Sequence, residues 1–155
     1  MIKTLANAKI NLSLDVLGKR NDNYHLVRMV MQSIDLHDVV TISKTCTQDI
    51  KLSCDVFIDC PVEKNLSYVA AKQFFKYTGI ENPGISIEIQ KRIPMCAGLA
   101  GGSSDAAATL LTLNKLFNAN VSKDQLLKIG AQVGSDVPFC MAGGTQLAKG
   151  TGTIL

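Results

Sequence analysis

The sequence predicts an α+β domain, and three observations carry that prediction. Apolar and polar residues alternate along the first part of the chain. Apolar residues recur at helical spacing over much of the rest. A glycine-rich turn stands where a strand pattern gives way to a helix pattern. Ala6, Ala8, Ile10, Leu12, Leu14 and Val16 share one face of an extended segment, with Asn7, Lys9, Asn11, Ser13 and Asp15 on the other, the pattern of a half-buried strand. Gly18–Asn23 reads as a polar turn, followed by strand-like segments near 27–35, 38–44 and 50–54.

Asn65 is placed to cap a helix that carries Leu66, Val69, Ala70 and Phe74 on one side and stops at Gly79. Ile85, Ile87 and Ile89 alternate with polar residues in another strand, which ends at Lys91-Arg92-Ile93-Pro94. Ala106, Leu110, Leu113 and Phe117 mark a long helix, and Ser122-Lys123-Asp124-Gln125 is a capping box for a further one that reaches Gly134. Gly143–Ala148 is the candidate last strand. No repeat, low-complexity tract or linker interrupts the chain, so residues 1–155 are expected to form one domain.

A chain of 155 residues is long enough to bury about 70% of its unfolded surface. A hydrophobic fraction of 46% with 19% charged residues is that of an ordinary globular domain. The formal charge of +3 comes without a dense Lys/Arg block, which argues against nucleic acid as a partner. No apolar run is long enough for a membrane span or a secretory signal. The five cysteines (Cys46, Cys54, Cys60, Cys96, Cys140) are odd in number, form no C-x-x-C pair and have only His25 and His37 beside them, so free thiols in a reducing cytoplasm are expected rather than a zinc site.

The run Pro94-Met95-Cys96-Ala97-Gly98-Leu99-Ala100-Gly101-Gly102-Ser103-Ser104-Asp105 is the most informative stretch. Glycines let backbone N–H groups approach a ligand closely, and the start of the following helix favours negative charge. That combination is suited to phosphate. The run fits neither the Walker pattern, which needs a lysine after its last glycine, nor the dinucleotide fingerprint. Taken alone it could equally be a tight strand-to-helix turn capped by Ser103 or Ser104.

With its surroundings the run resembles the phosphate-binding motif of the GHMP kinases, small-molecule kinases named for galactose, homoserine, mevalonate and phosphomevalonate. Gly98-Leu99 and Ser103-Ser104 stand as in that motif, but two further residues separate them and Asp105 follows. This longer form is similar to the subfamily that acts on a cytidine diphosphate-linked methylerythritol. Ala8-Lys9-Ile10-Asn11-Leu12, Gly18-Lys19-Arg20-Asn21-Asp22-Asn23-Tyr24-His25, Met31-Gln32-Ser33-Ile34-Asp35-Leu36, Asn65-Leu66 and Gly134-Ser135-Asp136-Val137-Pro138-Phe139 resemble its other segments, in order. Cys96 and Ala100 stand where glycine is common, and Asn21 and Asn23 replace the usual Pro and Gly.

The resemblance implies an N-terminal GHMP-kinase domain of the ribosomal protein S5 domain 2-like architecture, using ATP and Mg²⁺. It implies Asp136 as the base that takes the substrate hydroxyl proton and Lys9 as the cation beside it. Without it, Lys9 would read as part of a solvated strand face and Asp136 as a cap. It further implies that Pro94 and Ala97 to Ser104 wrap the triphosphate, that Asn65 and Lys91 lie near adenine, and that Asn11, Tyr24 and His25 meet the substrate, Tyr24 by stacking on cytosine. Ser103 or Ser104 would touch the metal, and the sequence leaves open which. Enzymes of the family run to nearly twice this length, with a second, ferredoxin-like domain, so the chain is expected to hold the catalytic pair but half of the cleft. Another GHMP kinase with a different alcohol, or a nucleotide-binding module without catalysis, are the rival readings.

Overall fold

The computed structural model describes residues 1–19 and 25–150. Strands β1 (Ile2–Lys19) and β2 (His25–Lys44) form a long antiparallel ribbon. Then come β3 (Ile50–Cys54), a 3-10 turn (Val62–Lys64), α1 (Leu66–Thr78), β4 (Ile85–Gln90), α2 (Gly101–Leu116), α3 (Lys123–Val133), α4 (Val137–Ala142) and β5 (Thr145–Gly150). The sheet runs β1-β2-β4-β3, with β3 and β4 parallel and the other pairings antiparallel. β4 pairs with residues 39–44 of β2 and β5 with residues 27–32, so two short strands follow one long one.

The α+β expectation holds, with several local differences. The two segments expected at 27–35 and 38–44 are one strand, whose residues 34–36 bulge opposite Ala8 between the pairs Asn7–His37 and Lys9–Ser33. Gly18 and Lys19 belong to β1 rather than to a turn, and the rest of the expected turn, residues 20–23, lies outside the described residues. The alternation along residues 6–16 buries Ala6 and Ala8, but it fails beyond Ile10. Leu12, Leu14, Val16 and Leu17 are each more than half exposed. β1 carries register shifts between Asn11 and Ser13 and between Val16 and Gly18, and each one-residue slip reverses which face a side chain occupies.

The core lies between the sheet and the helices. Ile85, Ile87 and Ile89 point inward from β4, joined by Val40 and Ile42 of β2, Phe74 and Phe75 of α1, and Leu110 and Leu113 of α2. The expected caps of α1 are present: the Asn65 side chain accepts from the Ser67 N–H at 2.9 Å, and Gly79 closes the helix in the left-handed conformation with φ of 67°. The capping box of α3 forms as Ser122 and Gln125 predict.

Helix α2 departs from the surface pattern, because Ser104 to Leu110 are buried without a break. A helix buried on all sides must be small or apolar all round, and Ala106-Ala107-Ala108 supply that. A second, smaller cluster of Met29, Met31, Phe139 and Ala148 fastens α4 to β2 and β5.

Gly84 occupies a position no other residue can take. Its φ is +107°, and an added Cβ would lie 1.8 Å from the Thr47 carbonyl oxygen. Gly84→Ala should therefore cost at least about 2 kcal/mol in urea unfolding, combining strain with backbone collision.

Candidate active site

The glycine-rich run bridges β4 and α2 as a loop over the middle of β1. The Lys9 N–H donates to the Leu99 carbonyl at 3.1 Å, so the strand that carries Lys9 also anchors the loop. Three loop residues are left-handed: Cys96 at φ 57°, Gly98 at φ 74° and Ala100 at φ 59°. A side chain in that region costs roughly 1–2 kcal/mol, which explains why glycine suits two places where this chain has cysteine and alanine. Helix α2 begins at Gly101, earlier than the serines, and Ala100 provides no side-chain cap. Ser103 and Ser104 thus lie inside its first turn rather than capping it.

The two serines have different surroundings. The Ser104 hydroxyl is buried, donates to the Asn7 carbonyl at 2.6 Å and lies 3.3 Å from the Cys140 sulfur. Ser103 is half-buried and lines the cavity beside the loop. That cavity has a volume of about 370 Å³ and is walled by Pro94 to Ser103 of the loop, by Ile58, Cys60, Lys64, Asn65 and Leu66 on the facing side, and by Lys91 and Asp105.

Lys9 is buried, 6% exposed, rather than spread on a solvated face. Its ammonium donates to Asn11 Oδ1 at 3.2 Å and stands 3.6 Å from Asp136 Oδ2. Asp136 immediately precedes α4, but its side chain makes no capping bond and so remains available to Lys9. Pro138 near the start of that helix removes an N–H that would have no partner there. Two residues 127 positions apart in sequence therefore meet beside the loop as the resemblance implies. Asn11 joins them. Tyr24 lies outside the described residues, and so does the side chain of His25.

Lys91 lines the cavity, and its ammonium is engaged within the protein. It contacts the carboxylates of Asp38 and Asp105, the latter at 2.8 Å. Asp38 is fully buried on β2 and also accepts from the backbone N–H groups of Arg92 and Ile93. The sequence reading passed over Asp38. The signal was there: an acidic residue heading an otherwise apolar run, Val39-Val40-Thr41-Ile42. Burial raises the Asp105 carboxyl from the ordinary 3.8 to about 7 against the opposing pull of Lys91, and nearby Asp38 adds to the rise. Burial also raises the Cys140 thiol to about 11, which keeps it protonated and inert. All five cysteines are free. Among the described residues no group of three or more His, Cys, Asp or Glu is placed to hold a metal.

The sequence profile described as the GHMP kinases N terminal domain matches residues 65–144, just over half of the chain. The chain belongs to this family. A 4-diphosphocytidyl-2-C-methyl-D-erythritol kinase of Clostridium perfringens is 49% identical over 154 residues, covering 99% of this chain and 53% of its own. The enzyme of the same name from Acetivibrio thermocellus is 53% identical over 154 residues and is covered to 54%. The chain thus spans about half the length of the curated relatives it matches.

A crystal structure of a 4-(cytidine 5'-diphospho)-2C-methyl-D-erythritol kinase superposes with a TM-score of 0.84 at 34% identity, over 99% of this chain and 54% of that one. A homoserine kinase from Cytophaga hutchinsonii has a TM-score of 0.73 at 22% identity over 95% of this chain and 48% of its own, a likeness of fold alone. No described helix is long and apolar enough to cross a membrane.

Two outcomes follow for this GHMP domain. Ala100→Gly should raise its unfolding free energy by about 0.5–1 kcal/mol, because relief of left-handed strain outweighs the added chain entropy. Asp105, raised in the folded state, contributes stability that is full below its unfolded value near 3.8 and lost as pH rises through about 7. Asp105→Asn should remove that component, so the stability difference between the two proteins should change over this pH window. A constant difference in chemical-denaturation titrations would contradict it.

Proposed function

We propose that this domain provides the ATP-binding loop and the catalytic pair of a kinase that phosphorylates the 2-hydroxyl of 4-diphosphocytidyl-2-C-methyl-D-erythritol, a step of non-mevalonate isoprenoid precursor synthesis. The contact of Lys9 with Asp136 at 3.6 Å, beside a glycine loop, carries the reading. The names of relatives near 50% identity, found over almost the whole chain, support this alcohol over that of another GHMP kinase.

In this reading Asp136 accepts the proton of the substrate hydroxyl. The hydroxyl oxygen forms its bond to the γ-phosphorus as the bond from that phosphorus to the β–γ bridging oxygen breaks, and ADP leaves with the bond's electron pair. Lys9 stands beside the carboxylate and offsets charge on the phosphoryl oxygens. Asn11 fixes the Lys9 ammonium from its other side. Most of the work is orientation and electrostatics, as expected for phosphoryl transfer.

Ser103 fits Mg²⁺ better than Ser104, because Ser103 lines the cavity while the Ser104 hydroxyl is committed to Asn7. Among the described residues no three His, Cys, Asp or Glu side chains are grouped to hold an ion, which favours phosphate oxygens as its main partners, with their charge neutralised by it. Asn65 and Lys91 flank the proposed nucleotide cavity, and Tyr24 and His25 are assigned to the cytidyl end. The relatives' greater length supports placing residues 1–155 as the N-terminal half, with a second domain completing the cleft. The free thiols accord with a cytoplasmic setting.

Asp136→Asn, made in the protein expressed from its complete reading frame, should lower kcat by roughly 10²–10⁴-fold while ATP affinity changes little. Phosphate transfer to the cytidyl alcohol equal to that of the unaltered protein would remove Asp136 as the base.

A further inference from the structure

Beside the loop lies a buried charge cluster that the proposed chemistry does not use. Lys91 stands at the junction of β4 with the loop. Its side chain is nine-tenths buried, with its ammonium between Asp38 of β2 and Asp105 of α2. Its own N–H donates to Asp55 Oδ1, just past β3, at 2.8 Å. Asp38 also receives the next two backbone N–H groups, including that of Ile93 at 2.8 Å. Groups from or next to β2, β3, β4 and α2 thus converge where the glycine loop leaves the sheet.

The cluster touches the loop itself. A Cβ on Gly101, the first residue of α2, would lie 3.2 Å from the Lys91 ammonium and 3.2 Å from Ile93 Cγ2. The first turn of α2 therefore rests against the ammonium, and a glycine there allows the approach. Lys91 and Asp105 both line the cavity, and Asp105 Oδ1 is buried with no hydrogen-bond partner. A staple serving stability alone would need neither cavity exposure nor an unpaired oxygen. A buried ion pair is in any case weak evidence for stability.

We propose that Lys91 is a positioning residue for nucleotide phosphates: its ammonium, clamped by Asp38 and Asp105, sets the glycine loop and the start of α2 in the geometry that receives them. This rests on the kinase reading above. Lys91 acts through the loop, so its role concerns the polyphosphate rather than the base. A lysine that instead touched the base directly would leave recognition of the phosphates intact.

That distinction gives the test. Binding of ATP and of inorganic tripolyphosphate, which has no nucleoside, is measured by calorimetry on the protein from its complete reading frame and on Lys91→Met and Lys91→Arg. Lys91→Met should weaken both ligands by a similar factor, roughly 10–100-fold, with Lys91→Arg recovering part of the loss and KM for the alcohol little changed. A folded Lys91→Met protein that binds tripolyphosphate like the unaltered one would overturn the proposal, and so would a loss confined to ATP. If Lys91→Met does not fold, the nearly isosteric Asp105→Asn is judged by the same two ligands and criteria. Unaltered protein that neither binds ATP nor turns over would defeat the kinase reading and this inference together, whereas failure of the inference alone leaves turnover in place.

Discussion

Helix α2 is buried without a break from Ser104 to Leu110, and it begins without a side-chain cap at the edge of a cavity. A helix start has N–H groups with no partner inside the helix, and burying them without acceptors is costly. The neighbouring elements can be understood from that constraint. The loop before α2 folds through three left-handed residues so that its backbone lines the cavity, and β1 holds the loop by the hydrogen bond from Lys9 to Leu99. Ser104 turns its hydroxyl inward to Asn7 rather than back to the helix start. The first N–H groups of α2 are thus left for an external acceptor, and the partial positive charge there suits phosphate.

The same packing brings Asp136 to Lys9 beside the loop. α4 is only six residues long and has little stability of its own, so its place depends on Phe139 in the cluster with Met29, Met31 and Ala148. Cys140, next to Phe139, meets Ser104 in the first turn of α2. Asp136 is thereby tied to both the sheet and the loop through neighbours in its own short helix. Its carboxylate remains free of capping and a quarter exposed.

Much of this was legible in the sequence, and what was not has physical causes. The helices carried local signals that tertiary packing did not override: Asn65 and Gly79 around α1, and Ser122 with Gln125 at α3. The β1–β2 ribbon was harder, because its bulges at residues 34–36, near Leu12 and near Leu17 break the two-residue period that a strand reading relies on. Lys9 illustrates the limit for side chains. Its polar face was correct, but its burial depends on elements near residues 99 and 136 that no local window contains. Asp38 was missed for the same reason, since its partners are 53 to 55 positions away.

The two lysine–aspartate arrangements beside the cavity differ in a way that suits separate tasks. Lys9 and Asp136 are 3.6 Å apart, with the ammonium buried and the carboxylate partly in solvent. Lys91 faces two carboxylates, all three side chains nearly excluded from water. Burial lowers the affinity of Lys91 for its proton, but the paired carboxylates more than offset this and leave its pKa raised. Asp105 is pushed the other way from an ordinary carboxylate, toward its neutral form. The rise at Asp105 lessens the negative charge that the cluster brings beneath the loop. Two fully ionised carboxylates there would repel phosphate at short range, in a medium that screens poorly. Asp105 thereby braces Lys91 by its hydrogen bond while adding less negative charge beneath the loop than an ordinary carboxylate would.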